Sequence, residues 1–336
     1  MTYINEPPSV ESNSRKGAAM TINRIQISVK GKPVYVPCAQ IHDRRVIATG
    51  KWLRVAAVKD EDLVEGEVVA EPESFILRLQ QTGLNADLFT FPQKLPDLSP
   101  RYVYHMEWDN FAVIPITTFA DWWDKRVESS VRRAVRKAAK AGVAVKLVEF
   151  NDAFVQGIVN INNETPIRQG RLFWHFQKSF EAVKRENSTY GERNTFLGAY
   201  YQDELIGFIR LTYCDGVANV VQLLSMMKHY DKRPANALIA KAVEICEQKK
   251  IRYLLYYNYV YNDPKSSLTE FKRRNGFEKV LLPRYYIPLT LKGRIALSWG
   301  LHRGLRKRVP QAVAMQLLKL RSLWHARKLQ GMEGTL

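Results

Sequence analysis

The stretch VANVVQLLSMMKHYDKRPANALIAKAVEICEQKKIRYLLYYNYV, residues 217–260, decides the fold. VANVVQLLSMM (217–227) follows the turn signal Asp215-Gly216 and reads as a strand. PANALIAKAVEICEQKK (234–250) carries Leu238, Ile239, Ala242, Val243 and Cys246 at helical spacing. Pro234 falls in the first turn, where its missing N–H costs little. IRYLLYYNYV (251–260) is a continuous apolar and aromatic run, the pattern of a strand buried on both faces. A helix of this length between two strands makes a right-handed crossover, so the two strands lie parallel.

Upstream, TFLGAYY (195–201) and LIGFIRLTY (205–213) are strands joined by the turn QDE, and with 217–227 they form an antiparallel meander. Downstream, SSLTEFKRRN (266–275) is a helix closed by Gly276, and RYYIPLT (284–290) is a final strand. The order predicts an α/β (α+β) chain with a mixed sheet that splays where the parallel pair follows the meander. A helix N-terminus points into that opening, and its unpaired N–H groups and dipole favour phosphate.

SSVRRAVRKAAKAGVAV (129–145) has five basic side chains in nine positions, from Arg132 to Lys140. Val131, Val135, Ala138 and Gly142 form one stripe, and Gly142 ends the helix before an extended run. Periodicity alone leaves three readings open: a nucleic-acid helix, a membrane-surface helix, or a solvated face.

The 336 residues are enough for about two domains, and a hydrophobic share of 46% describes a globular core. Residues 1–24 are polar, broken by Pro7-Pro8 and without an apolar signal region, and are expected to be disordered. Three scattered cysteines imply a reduced, cytoplasmic protein, and six histidines without metal spacing give metal chemistry no support. The net charge of +18 is uneven: Lys292, Arg294, Arg303, Arg306, Lys307, Arg308, Lys319, Arg321, Arg327 and Lys328 meet no acid between 291 and 330. With Leu297, Leu301, Leu305, Leu317 and Leu320 interleaved, residues 291–336 read as a basic amphipathic helical tail. It suits an anionic membrane on the inner face, a tRNA surface, or docking on the sheet with cations outward.

The arrangement resembles the GNAT acyltransferase fold, with LTEFKRRNGFEKV (268–280) similar to that superfamily's closing helix-turn-strand. RPANALIAKAVEICEQKKIRYLLYY followed by FKRRNGF resembles the FemAB-type peptidyltransferase branch, as does the lead-in helix RRAVRKAAKAGV. The resemblance covers about residues 125–290 and implies a catalytic domain at 126–290. It implies a shortened first copy of the fold at 25–125, where QISVKGKPVYVP, KWLRVAAV and ADLFTFPQ are strand-like and PESFILRLQQTG is helix-like. The implied activity is transfer of an acyl group from acetyl-CoA or another acyl-CoA to an amine of a sugar, envelope precursor or peptide. FemAB-type members use aminoacyl-tRNA instead. The glycine loop of coenzyme-A-using members is replaced here by DKRPAN (231–236), which weakens the coenzyme A reading and keeps a non-catalytic nucleic-acid- or membrane-binding scaffold open.

The resemblance makes Lys272 the first catalytic candidate, neutralising charge on the intermediate or donor; alternatively it is one of three exposed basics with Arg273 and Arg274. Backbone N–H groups of Ser225, Met226 and Met227 would serve as oxyanion donors where the sheet splays. Lys232, Arg233 and Asn236 lie where the donor's phosphates would bind, and surface charge is the alternative for the two cations. In TPIRQGRLFWHF (165–176), Arg168, Arg171, Trp174 and His175 suggest a lid that grips an anionic or sugar substrate, or else a core-facing segment. Glu164 is a candidate base acting through water. Strand alternation sends Tyr257, Tyr259 and Tyr261 to one face, some lining the cleft, and Tyr256 to the other.

Overall fold

The computed structural model describes residues 22–29, 32–168, 170–261 and 263–303. Most of the amino-terminal segment expected to be disordered, and the tail beyond Arg303, lie outside the described residues; Asn23 and Arg24 already belong to a strand.

The first half begins with an antiparallel meander of β1 (Asn23–Val29), β2 (Lys32–Ile41), β3 (Arg44–Thr49) and β4 (Val55–Val58). Helix α1 (Pro72–Gln81) then crosses to β5 (Leu88–Pro92), parallel to β4, and β6 (His105–Pro115) follows. A short α2 (Phe119–Asp121) and a π-helical turn lead to α3 (Ser129–Lys140), the basic helix, which ends at Gly142 with φ 84° as its spacing predicts.

The second half runs β7 (Ala144–Val148), α4 (Asp152–Asn163), the small hairpin β8 (Ile167–Arg168) and β9 (Arg171–Leu172), and α5 (Phe180–Ser188). The expected meander follows as β10 (Asn194–Tyr201), β11 (Glu204–Cys214) and β12 (Val217–Ser225). Helix α6 (Pro234–Gln248) crosses to β13 (Tyr253–Asn258), parallel to β12. Helix α7 (Ser267–Arg274), β14 (Glu278–Pro288) and α8 (Leu291–Ser298) complete the described chain.

Twelve strands form one sheet in the order β1-β2-β3-β4-β5-β14-β6-β13-β12-β11-β10-β7. Each half is a meander, a crossover helix, a parallel strand and a final strand, and the final strands are exchanged. β14 lies between β5 and β6, and β6 lies between β14 and β13. The exchange is built into the core: Tyr285 of β14 is fully buried among Phe89, Phe91 and Ile287, and its hydroxyl accepts from Arg101 N at 2.8 Å.

Around β10–β13, helices α3, α6 and α7 cover one face and α4 and α5 the other. Leu238, Ala242 and Cys246 of α6 bury against Leu197, Leu211 and Leu254, and Val131 and Ala138 of α3 join them. Phe154 and Ile158 of α4 meet Phe196 and Phe208 behind. Each full burial of a large apolar side chain stabilises by roughly 1.5–3 kcal/mol, so the packed faces hold the sheet while its paired edges set the register.

The exchange has a direct test. A fragment starting at residue 117 lacks β6 and leaves β13 and β14 as bare edges. It should aggregate or stay unfolded by circular dichroism when expressed alone, and become soluble when residues 22–116 are co-expressed.

Candidate active site

β12 and β13 share three rungs: Val217 opposite Tyr253, Ala218 opposite Leu254 and Asn219 opposite Leu255. β12 continues to Ser225 and β13 to Asn258 without further pairing, so the sheet opens into a wedge. Two features turn β13 aside. Its register against β6 slips between Leu255 and Asn258, and Tyr257 within the slip takes φ 38°. That left-handed backbone is costly for a residue with a Cβ.

The carbonyls of Tyr256 and Asn258, past the last rung, accept from the Lys272 ammonium of α7 at 2.8 and 2.7 Å. Lys272 is fully buried, not one of a set of exposed basics. Its Nζ lies 4.3 Å from the Tyr256 ring centroid and 4.9 Å from that of Tyr261. Burial brings its pKa down to about 8, while the carbonyls and ring faces favour the charged form. The tyrosine alternation also needs correcting. The turn at Tyr257 places Tyr261 beside Lys272 together with Tyr256, Tyr259 packs against the α6 core, and Tyr257 faces Asp62 on the other side.

At the wedge mouth, α3, the first turn of α6 and α7 enclose a groove of about 470 Å³ lined by Arg133, Lys137, Arg233, Asn236, Glu270 and Arg274 among others. Arg233 caps α6 in the left-handed region at φ 58°, and Pro234 is the first helical residue. The next backbone N–H groups, of Ala235 and Asn236, have no carbonyl one turn back to bond. Asn236 Nδ2 donates to Asn275 Oδ1 at 3.2 Å, tying α6 to the end of α7. Arg274 is held by Glu270 at 2.7 Å, whereas among the described residues Arg133, Lys137 and Arg233 have no carboxylate within ion-pair distance. Three cations without an ion-pair partner thus stand beside the α6 N-terminus, an arrangement that favours an anion. The basic helix is thus neither uniformly solvated nor uniformly engaged: Arg132 turns inward and donates to the carbonyls of Trp123 and Val127 at 2.9 and 2.7 Å.

On the opposite face, Asp62 of the first half lines a small cavity of about 30 Å³ with Asn219 and Leu255, the last rung of the parallel pair. Burial raises its carboxyl above the usual range, and nearby Asp109 adds to the rise against the opposing pull of Arg284. Next to it, Arg284 holds Glu61 and Asp109, each at 2.5 Å.

No known family profile matches the chain, and no curated protein does. Solved structures do. FemX superposes with a TM-score of 0.52 at 10% identity, covering 79% of this chain and 88% of its own. L-PGS from Bacillus licheniformis gives 0.49 at 12% identity, covering 76% of this chain and 84% of its own. A tandem GNAT protein from the clavulanic acid biosynthesis pathway gives 0.44 at 11%, covering 80% and 83%. The chain shares the fold of FemX over most of its length.

Within this fold the other sequence candidates fall into two sets. Arg233 and Asn236 line the groove, but Lys232 does not: its Nζ sits 4.7 Å over the Tyr201 ring and 3.4 Å from Asp231. Two of the three amides offered as oxyanion donors are taken. Met226 N donates to Ile206 O at 2.8 Å and Met227 N to Glu164 at 2.7 Å. The buried Ser225 hydroxyl has no partner among the described residues. Glu164 also accepts from Lys228 N at 2.8 Å, so it caps the turn after β12.

Arg168 is a clasp, not a substrate grip. It donates to Ser225 O at 2.9 Å and Ile161 O at 2.8 Å and lies 4.3 Å over Phe173. Arg171 pairs with Arg168 across the hairpin backbone. His175 is buried against Phe173 and Trp174, and burial, with the charges of Lys178 and Arg168, brings it down to about 3. That shift favours the neutral imidazole. Trp174 is exposed under Lys178 at 4.1 Å.

The corresponding cleft in the first half, about 240 Å³ beside the end of β5, holds several ion pairs. Lys94 pairs with Asp215 at 2.7 Å, and Arg101 is held by Glu67 and Asp97. Arg252 also lines this cleft and donates to the carbonyl of Asp215 at 3.3 Å.

Replacing Lys272 with Met leaves two buried carbonyls without a donor and should cost roughly 2–4 kcal/mol, read as a lower urea midpoint at unchanged m-value. Lys272 also has a pH signature. Its folded pKa of about 8 lies below the ordinary 10.5, so the unfolded chain binds more protons between those values. Stability of the unaltered protein should gain from this group as pH rises through that window, and Lys272→Met should remove the gain.

Proposed function

We propose that the protein is an N-acyltransferase whose donor binds in the β12/β13 wedge. The observation that carries this reading is the coincidence of the splayed parallel pair, the α6 N-terminus and the unpaired cations Arg133, Lys137 and Arg233 at one mouth. The donor's phosphates meet these cations, and its acyl carbonyl lies along the free edge of β12. The acceptor amine, of a sugar, envelope precursor or peptide, arrives from the opposite face. There Asp62 takes the proton as nitrogen bonds to the carbonyl carbon, and the carbon–sulfur bond breaks to release a thiolate; with an ester donor Asp62 returns that proton to the departing oxygen, which leaves as a hydroxyl. A carboxyl raised by burial is a stronger base than an ordinary one. Lys272 acts as a positioning residue that keeps β13 away from the donor's path. The first half belongs to the same enzyme as a second copy of the fold, supported by its matching strand order.

The donor we favour is acetyl-CoA or another acyl-CoA. One observation favours aminoacyl-tRNA as a second reading: Arg233 and Pro234 stand where a glycine-rich amide cradle would close around a pyrophosphate, and a guanidinium grips any phosphate. Thermal shift separates them. Acetyl-CoA, longer acyl-CoAs and charged tRNA are each added at matched ionic strength, and a donor at a hundredfold excess over its Kd stabilises by about 2.7 kcal/mol. Acyl-CoA should raise Tm, and Arg133→Glu with Lys137→Glu should abolish the rise. A shift with charged tRNA alone assigns the second reading. No shift with any donor, while uncharged nucleic acid or anionic vesicles do shift Tm, leaves a binding scaffold.

With the donor identified, Asp62→Asn should lower kcat on the order of 10²–10⁴-fold at unchanged Tm. It should also remove an acid limb of kcat/KM that lies above the usual carboxylate range.

A further inference from the structure

Helix α8 is pinned by its inner side. Thr290 Oγ1 accepts from Gly293 N at 3.0 Å and donates to Asp87 Oδ1 at 3.1 Å. A Cβ on Gly293 would meet Asp87 O at 1.9 Å, so the helix backbone rests directly on the strand and cannot roll. Gly293 and Ala296 are buried. The outer side then carries a stripe at i, i+4 and i+8: Leu291, Ile295 and Trp299, at 71%, 47% and 69% exposure. Trp52, in the turn between β3 and β4, is 61% exposed and extends the stripe, with Lys292 Nζ 5.3 Å from its ring. Lys51, Arg54, Lys292 and Arg294 surround these side chains and are exposed. Asp87, the carboxylate beneath them, is buried and engaged by Lys292 at 3.1 Å and Arg54 N at 2.8 Å.

We propose that α8 and the Trp52 turn form a docking surface for an anionic lipid bilayer. Charge selects this occupant. The sequence beyond Arg303 adds Arg306, Lys307, Arg308, Lys319, Arg321, Arg327 and Lys328 with no acid before Glu333, so the chain's own continuation supplies no counter-charge to the patch. A nucleic acid matches the cations but gives Leu291 and Ile295 no apolar environment. A bilayer interface matches both: indoles sit at headgroup depth, aliphatic side chains reach the acyl boundary, and the ring of cations meets lipid phosphates. No helix among the described residues is long and apolar enough to cross a membrane, so the attachment is peripheral. The surface is independent of the transferase reading and is tested without any donor.

The test is flotation of the full chain with phosphatidylcholine vesicles, with and without about one-third phosphatidylglycerol, at physiological salt. The unaltered protein should float with the anionic vesicles and less with the neutral ones. Leu291→Ser, Ile295→Ser and Trp299→Ser together should lower partitioning on the order of tenfold or more, because the apolar insertion is lost. Lys51→Glu with Arg294→Glu should lower it for anionic vesicles only, so the conclusion does not depend on one variant folding. Three results would overturn the proposal: no flotation of the unaltered protein, wild-type flotation by both folded variants, or binding of tRNA that the same variants weaken while vesicles go unbound.

Discussion

A buried ammonium decides the shape of the second half. Parallel strands joined by a crossover helix pair along their common length unless the backbone groups they would share find other partners. Here the Tyr256 and Asn258 carbonyls find Lys272 at 2.8 and 2.7 Å, and the ladder stops at Asn219–Leu255. The positive φ of Tyr257 and the register slip against β6 are the local cost of the same divergence. Without a donor at that position, the open wedge would present unpaired carbonyls to a core that has no water for them.

The strand exchange gives the wedge its two different sides. β6 from the first half backs β13, and the turn after β4 brings Asp62 to the face opposite the cationic groove. Neither half is complete alone: one carries unpaired cations beside the α6 N-terminus, and the other carries the carboxyl behind the last rung. In the first-half cleft Lys94 pairs with Asp215 of the second half, and Arg101 with Glu67 and Asp97.

Where a local signal existed, the sequence was readable. The meander follows from its turns, α6 from Pro234 and its apolar stripe, and the ends of α3 and α7 from Gly142 and Gly276 in the left-handed region. β6 was not readable. Its first residues, HMEWDN, mix polar and apolar side chains that are exposed or half-buried, and only FAVI is buried, so no single period marks it. Asp62 lies in a three-residue turn with no motif, and only the exchange brings it to β12 and β13. Glu164 and Arg168 looked chemical because of their type, yet they pair with each other at 3.3 Å and with backbone groups around the end of β12. Sequence spacing was also a poor guide to the histidines. The ligand atoms of His105, Glu107 and His302 lie within 4.8 Å of one another, although Arg303 already holds Glu107 at 2.9 Å and offsets its charge.

Hydrogen exchange of the full chain with and without saturating acyl-CoA tests the wedge most directly, because it reports position as well as binding. Slowed exchange is expected in two places, residues 220–237 at the free edge of β12 and the start of α6, and residues 255–275 around Tyr257 and Lys272. Slowing confined to residues 64–69 and 92–102 of the first-half cleft, under conditions where the donor is bound, would contradict donor binding between β12 and β13.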